Sequence, residues 1–247
     1  MPLPHEPWAE VYDFFYEETF GAMYGSFTRE TLSHITRNAD GRKKIIDFGA
    51  GTGRVAIPLA LEGHQVTAVE PSTSMMQVLL RKAGDAEVPI NHFTQKIQGF
   101  IPEGDQDLAL CLFTVIAYTT EEHELELACS VMARSLKPGG LLILDAPSEG
   151  AFGSMSKKTG RMERNMVVEP LGNGLYRYTE DSYDLRNGAR IRYRDQFQIR
   201  CWPKERLLST LGTHGMTLEN YAPMPGSQHL FLRKNLHANA TASKSSP

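Results

Sequence analysis

The residues Asp47-Phe48-Gly49-Ala50-Gly51-Thr52-Gly53, together with Glu70, form the most chemically pointed pattern in the sequence. Glycine lets the backbone pass close to a ligand and adopt positive φ. The short apolar run from Lys43 to Phe48 precedes these glycines, which places them where a strand turns into a helix. In an open α/β sheet that turn borders the crevice in which ligands bind. Glu70 ends a second apolar run, and a carboxylate there can accept two hydrogen bonds from the ribose diol of an adenosine. Arg54 argues against a dinucleotide oxidoreductase. The G-x-G-x-x-G pattern counted from Gly49 needs a glycine at position 54, to let the helix pack tightly beneath a pyrophosphate.

The elements that must hold this pattern alternate. A strand at 43–48 is followed by a helix at 54–62, with Pro58 near its start, then a strand at 64–71 and a helix over 74–82. A weaker strand at 89–95 precedes DLALCLFTVIAY (107–118), whose continuous apolar character predicts a fourth strand buried on both faces. A helix over 122–136 stops at KPGG (137–140), and LLILDAP (141–147) reads as the fifth strand. Strands and helices alternating at short intervals imply a parallel sheet covered by helices on both sides. From 150 the pattern changes. Residues 150–160 read as a flexible loop, and three strand-like runs follow, separated by Gly172-Asn173-Gly174 and Arg186-Asn187-Gly188. Asn-Gly between such runs signals a hairpin, so an antiparallel meander is expected. A helix over 202–215 and two strands, MTLENYA and QHLFLRKN, complete the pattern before a small, polar tail expected to be disordered.

Four segments, in order, resemble the motifs of class I S-adenosylmethionine (SAM)-dependent methyltransferases. IIDFGAGTGR is similar to the glycine-rich first motif and VTAVEPSTSMM to the second. DLALCLFTVIAY is similar to the fourth-strand motif, and SLKPGGLLILDAP to the turn into the fifth strand. The resemblance implies an α/β fold: a Rossmann-like, mostly parallel sheet of seven strands with the last antiparallel, a helical N-terminal lid, and a late antiparallel β insertion. It divides the chain into a lid (1–40), a SAM-binding core (41–150), a β-meander insertion (151–200), the end of the core (201–235) and a tail (236–247). It implies SAM as cofactor and S-adenosylhomocysteine as product. By position, Asp47, Gly49, Ala50, Gly51, Gly53, Arg54, Glu70, Pro71, Met75, Ile97 and Phe113 would contact the cofactor. One departure stands out: Lys96 lies where family members often carry an acid near the adenine amino group, and a lysine cannot accept that hydrogen bond.

A sulfonium methyl is already activated, so alignment of the acceptor is the protein's main task, and catalytic residues need form no motif. The stretch after the fourth strand, Phe113-Thr114-Val115-Ile116, lacks the Asn-Pro-Pro-Tyr of enzymes acting on planar amines and the Pro-Cys of those methylating cytosine carbon. CLFTVIAY and the early WAEVYDFFY look more like amino-sugar N-methyltransferases and glycine N-methyltransferase-like enzymes. Methyl transfer to nitrogen or oxygen of a small metabolite is the expected function. An RNA-modifying methyltransferase and a SAM-binding domain without turnover are the alternatives. Tyr118 and Tyr16 are candidates for the acceptor pocket, with Tyr12 and Tyr24 as further aromatics that equally suit a core. His92, His123 and His229 read as structural. In the meander, Arg190, Arg192, Arg194 and Arg200 share one strand face, either a solvated face or a surface for an acidic acceptor, with Arg192 as the candidate to test.

The chain has 247 residues and a net charge of −3, so bulk charge does not point to DNA or an anionic membrane. Cys111, Cys129 and Cys201 are scattered and in no metal spacing, so no metal is expected. No apolar run approaches the ~18 residues of a membrane span. A cytoplasmic protein is the expectation, with the β insertion as a surface through which a homodimer would form. Asn239-Ala240-Thr241 fits a glycosylation sequon, discounted because no signal peptide is read at the N-terminus.

Overall fold

The computed structural model describes residues 3–38, 41 and 43–236. After a short 3-10 segment (Glu6–Val11) come α1 (Tyr12–Phe20) and α2 (Ala22–Asn38). The chain then alternates through β1 (Lys44–Phe48), α3 (Ala56–Leu61), β2 (Gln65–Val69), α4 (Thr73–Asp85) and β3 (Asn91–Phe93). It continues with β4 (Gln106–Cys111), α5 (Glu122–Ser135) and β5 (Leu136–Pro147). The strands β6 (Met155–Lys158), β7 (Met162–Gly172), β8 (Leu175–Asp184) and β9 (Ile191–Arg200) follow, then α6 (Lys204–Thr213), β10 (Met216–Met224) and β11 (Ser227–Lys234). The main sheet has seven strands in the order β10-β11-β5-β4-β1-β2-β3. All of its neighbouring pairs are parallel except those made by β11, which runs antiparallel to both β5 and β10.

The central strands are apolar throughout because helices cover both of their faces. Ile46, Phe48, Ala109, Cys111, Leu142 and Leu144 pack on one side with Leu125 and Met132 of α5 and Leu207 and Leu211 of α6. The alternate residues Ile45, Leu108, Leu110 and Ile143 pack on the other with Ile35 of α2 and Ala56 and Leu59 of α3. A second sheet, β6-β7-β8-β9, is antiparallel throughout. The N-terminal segment seats against it: Trp8, Val11 and Phe15 form a cluster with Met162, and the Trp8 indole N–H donates to Asp195 Oδ2 at 3.2 Å.

Three expectations need correction. The fourth strand ends at Cys111 rather than running to Tyr118. Phe113 (φ 54°) and Thr114 (φ 63°) reverse the chain, Asp145 Oδ2 accepts the Thr114 N–H at 2.9 Å, and Val115–Tyr118 form a 3-10 turn. Of the apolar residues in that stretch, Leu112 and Ile116 pack into the core on either side of the sheet, while Phe113 and Val115 are partly buried and line a cavity. The fifth strand begins at Leu136, because KPGG is absorbed as an irregularity in its pairing with β4 between Gln106 and Leu108. The loop expected at 150–160 contains β6, a polar edge strand whose Lys157 Nζ donates to the Thr19 carbonyl at 2.7 Å. The expected tail lies outside the described residues apart from Leu236, and so does the sequon at Asn239. Among the described residues, no helix is long and apolar enough to cross a membrane.

Candidate functional site

Two cavities open above the carboxyl ends of the parallel strands. The first, about 220 Å³, is walled by the β1–α3 turn (Gly49, Ala50, Gly51, Thr52), the end of β2 (Glu70, Pro71), Met75 of α4, and Lys96 and Ile97 after β3. The second, about 330 Å³, lies between the N-terminal helices, the β4–α5 connection and the four-stranded sheet. Aromatic rings dominate its wall: Tyr16, Phe20 and Tyr24 from the helices face Tyr178 and Phe197 from the sheet. His5, Tyr12, Arg54, Phe113 and Tyr118 line both cavities. The two cavities therefore adjoin along this shared wall.

The turn after β1 is shaped by its glycines. Gly51 (φ +54°) lines the first cavity, and a Cβ built on it meets nothing within 4 Å because it would project into open space. Gly49 (φ +72°) is closed in: a Cβ there would lie 2.4 Å from Val115 Cγ2. Gly53 does not reach the cavity. A Cβ on it would lie 2.7 Å from Ile57 Cδ1 and 3.0 Å from Leu79 Cγ, so this glycine serves the packing of α3 and α4. Glu70 is buried and fixed, its Oε2 accepting the Gly51 N–H at 3.0 Å and its Oε1 the Ser72 N–H at 2.9 Å. Burial raises its carboxyl pKa, opposed by those two hydrogen bonds. Asp47 stands behind the turn, fully enclosed, with Oδ2 unpartnered; burial and then the nearby Glu70 charge push its carboxyl up to about 7.

Arg54 lies between two rings, its guanidinium 3.8 Å from the Tyr24 centroid and 3.9 Å from that of Phe113. It donates to Thr28 Oγ1 at 2.7 Å and to the Tyr24 carbonyl at 3.1 Å. Such stacking favours an arginine over a lysine, whose compact ammonium stays more strongly hydrated. In the second cavity Arg164 is fully buried and held by Glu180, with 3.1 Å from Nε to Oε1 and from Nη2 to Oε2, so its charge is compensated within the protein.

Of the residues singled out from the sequence, Gly49, Ala50, Gly51, Arg54, Glu70, Pro71, Met75, Ile97 and Phe113 line the first cavity, while Asp47 and Gly53 support its frame. Tyr118 lines both cavities and Tyr16 the second. Arg192 reaches neither. It projects from the exposed face of β9 and its Nε donates to Asp181 Oδ1 at 2.7 Å. Arg190 pairs with Glu163 on that same face. Lys96 does line the first cavity, 4.0 Å from Glu124 Oε1, and Glu124 itself lines it, so an acid is present there, contributed by α5. Sequence reasoning missed His5, Glu124 and Arg164. None lies in a motif, and only the tertiary arrangement brings them to the cavities.

Residues 45–140 match the family model described as a methyltransferase domain. A protein of Geobacillus sp. (strain WCH70), provisionally named a methyltransferase, is 32% identical over 146 residues, which are 59% of this chain and 58% of that protein. A SAM-dependent methyltransferase from Clostridium acetobutylicum ATCC 824 superposes with a TM-score of 0.80 at 15% identity, covering 92% of this chain and 98% of that one. The sugar N-methyltransferase KedS8 from Streptoalloteichus sp. ATCC 53650 superposes with a TM-score of 0.73 at 22% identity, covering 91% of this chain and 93% of that one. The fold is that of the SAM-dependent methyltransferases, and the segment matched by the family model supplies most of the first cavity's wall, with Leu3, Pro4, His5, Tyr12 and Gln198 completing it.

The first cavity fits SAM. Gly51 leaves room where any Cβ would intrude, and Glu70 presents a carboxyl group fixed by two backbone N–H donors, with the enclosed Asp47 carboxyl behind the turn. Glu70 is placed where it could accept from the ribose hydroxyls, and Ile97 and Met75 where they could pack against the adenine. Bound there, SAM supplies an electrophilic methyl group.

Proposed function

We propose that this protein transfers a methyl group from SAM to a nitrogen or oxygen of a small-molecule metabolite. The observation that carries the reading is the pair of adjoining cavities with one shared wall. A cofactor held by Glu70 and Gly51 would have an acceptor beside it in a chamber of about 330 Å³, a size suited to a metabolite. Holding two reactants in contact distance supplies roughly 7–11 kcal/mol toward the reaction without any acid or base. The superposition on a sugar N-methyltransferase supports an acceptor of metabolite size. The RNA alternative relied on the meander arginines, and among these Arg190 and Arg192 are already committed to Glu163 and Asp181.

The first experiment is parallel calorimetric titration with SAM, S-adenosylhomocysteine and NADH, followed by a screen of amine and hydroxyl metabolites for S-adenosylhomocysteine formation. Micromolar binding of the first two, lost in Glu70→Ala, is expected. Binding of NADH alone would reject the cofactor, and SAM binding without turnover on any acceptor would favour a domain that only senses SAM.

A further inference from the structure

At the shared wall, His5 Nε2 lies 2.6 Å from the Tyr118 hydroxyl, and both side chains border both cavities. His5 is buried among the rings of Trp8, Tyr12, Tyr118, Tyr178 and Phe197. Its backbone N–H donates to Asp195 Oδ2 at 2.6 Å, which fixes the residue in its left-handed conformation (φ 65°). The other ring nitrogen, Nδ1, has no hydrogen-bond partner and lies 4.0 Å from the same Asp195 oxygen. That placement selects the tautomer. A lone pair on Nδ1 would face a carboxylate, whereas an N–H there points its positive end toward it. This favours the proton on Nδ1, which leaves the lone pair on Nε2 to accept from the Tyr118 O–H.

We propose that His5 and Tyr118 are an acceptor-orienting pair: His5 takes the Tyr118 hydroxyl proton as a hydrogen bond, and the phenol oxygen then accepts an N–H from an amine substrate. This rests on the methyl-transfer reading and narrows its acceptor to a neutral amine nitrogen. Tyr118 would touch the acceptor; His5 is a positioning residue that acts through it.

The choice of nitrogen follows from what the shared wall lacks. An alcohol acceptor must lose its proton early, which requires a base. The titratable and charged groups facing the pair are Tyr12 and Tyr16 from α1, Glu70 from β2, Arg164 from β7, Tyr178 from β8 and Asp195 from β9. Burial holds the Tyr118 and Tyr12 phenols well above their ordinary range, and burial followed by the Arg164 charge drives the His5 imidazole down to about 3. Glu70 is occupied by two backbone N–H groups. Asp195 is occupied by the His5 N–H and the Trp8 indole. None of these is free to remove a proton from a group held by Tyr118; Asp145, whose Oδ1 has no partner, lines the second cavity but makes no hydrogen bond to either member of the pair. A neutral amine needs no proton removed. Its lone pair forms the new N–C bond, the pair of the broken C–S bond stays on sulfur, and the surplus proton leaves to solvent after transfer. A hydrogen bond from the amine N–H to Tyr118 turns the nitrogen lone pair away from that bond, toward the cofactor.

The test has two independent arms. Histidine labelled with ¹⁵N is followed by NMR in protein with no cofactor added, at pH 6–8, with His5 assigned by His5→Gln. The expected result is a neutral ring protonated on Nδ1, with an Nε2 resonance that moves in Tyr118→Phe. A ring protonated on Nε2, or one titrating near 6.5, overturns the pair. In the second arm, S-adenosylhomocysteine formation is measured with primary and secondary amines and with alcohols of matched shape. Amines should react, with a rate that rises with pH through the amine's own pKa. Tyr118→Phe should lower kcat roughly 10–100-fold through lost alignment, with the SAM dissociation constant unchanged within threefold. His5→Gln, whose amide oxygen can still accept from Tyr118, should retain more activity than His5→Leu. Turnover of alcohols in preference to amines overturns the amine assignment, as does undiminished kcat in Tyr118→Phe. SAM binding with no turnover on any compound counts against methyl transfer itself, and the tautomer still decides the pair.

Discussion

Alanine placed at Gly49 and at Gly51, two residues apart in one turn, is expected to separate folding from cofactor binding. Both glycines have positive φ, +72° and +54°, so each substitution forces an L-residue into the left-handed region at about 1–2 kcal/mol. Their surroundings then diverge. At Gly49 the new methyl would sit 2.4 and 2.6 Å from the two Val115 methyl carbons. Val115 is β-branched with little rotamer freedom, so the 3-10 turn that carries it must shift, adding about 1–3 kcal/mol of overpacking. Gly49→Ala should thus lose about 2–5 kcal/mol, a fall of roughly 4–20 °C in Tm at 2–4 °C per kcal/mol for a chain of this size. At Gly51 the methyl meets nothing within 4 Å, so only the conformational cost applies to folding. The same methyl enters the first cavity, and a tenfold or greater loss of S-adenosylhomocysteine affinity, about 1.4 kcal/mol, is expected. Urea unfolding gives the stability and calorimetry gives the affinity. Unchanged S-adenosylhomocysteine binding in Gly51→Ala would refute the assignment of this cavity to the cofactor. Equal stability of the two variants would refute the contact argument at Val115.

Two further outcomes test the frame around the cavities. Glu180→Gln strands the fully buried Arg164 guanidinium and should destabilise by about 3–5 kcal/mol in urea unfolding, whereas replacing both residues by apolar ones of similar volume should recover most of that loss. Asp47 has a folded pKa of about 7 against an unfolded value near 4, so the unfolded chain loses this proton first and stability falls as pH rises between those values. Asp47→Asn should therefore stabilise the cofactor-free protein at pH 8, by at most about 4 kcal/mol for three pKa units as read from urea unfolding, and the two proteins should converge toward pH 4. A gap independent of pH would refute the cause assigned.

The sheet was legible because its signals are local and repeated. Apolar runs such as Ile45–Phe48 and Leu108–Cys111 must be buried on both faces, and the glycines after β1 occupy a turn where a side chain would meet either Val115 or the cavity. Apolar character alone could not show where β4 ends. Leu112 and Val115 are as hydrophobic as the strand before them, yet they belong to a chain reversal that depends on Asp145, a residue 31 positions from Thr114. The same limit hid β6, whose Ser and Lys residues suit an edge strand as well as they suit a loop. The N-terminal aromatics divide in a way helical spacing cannot reveal. Trp8 and Phe15 face the four-stranded sheet as core, while Tyr16 and Tyr24 face the second cavity. His5 was the least legible of all. It stands alone outside any motif, and its role depends on Tyr118 and Asp195, 113 and 190 residues away. The first cavity is built mainly from the turns that follow β1, β2, β3 and β4, and each of these leaves a short local trace in the sequence. Acceptor binding is assembled from the N-terminal segment, the β4–α5 connection and the late sheet, so no window of the sequence contains it. For that reason the acceptor must be sought in the chemistry of the shared wall, where one histidine and one tyrosine meet.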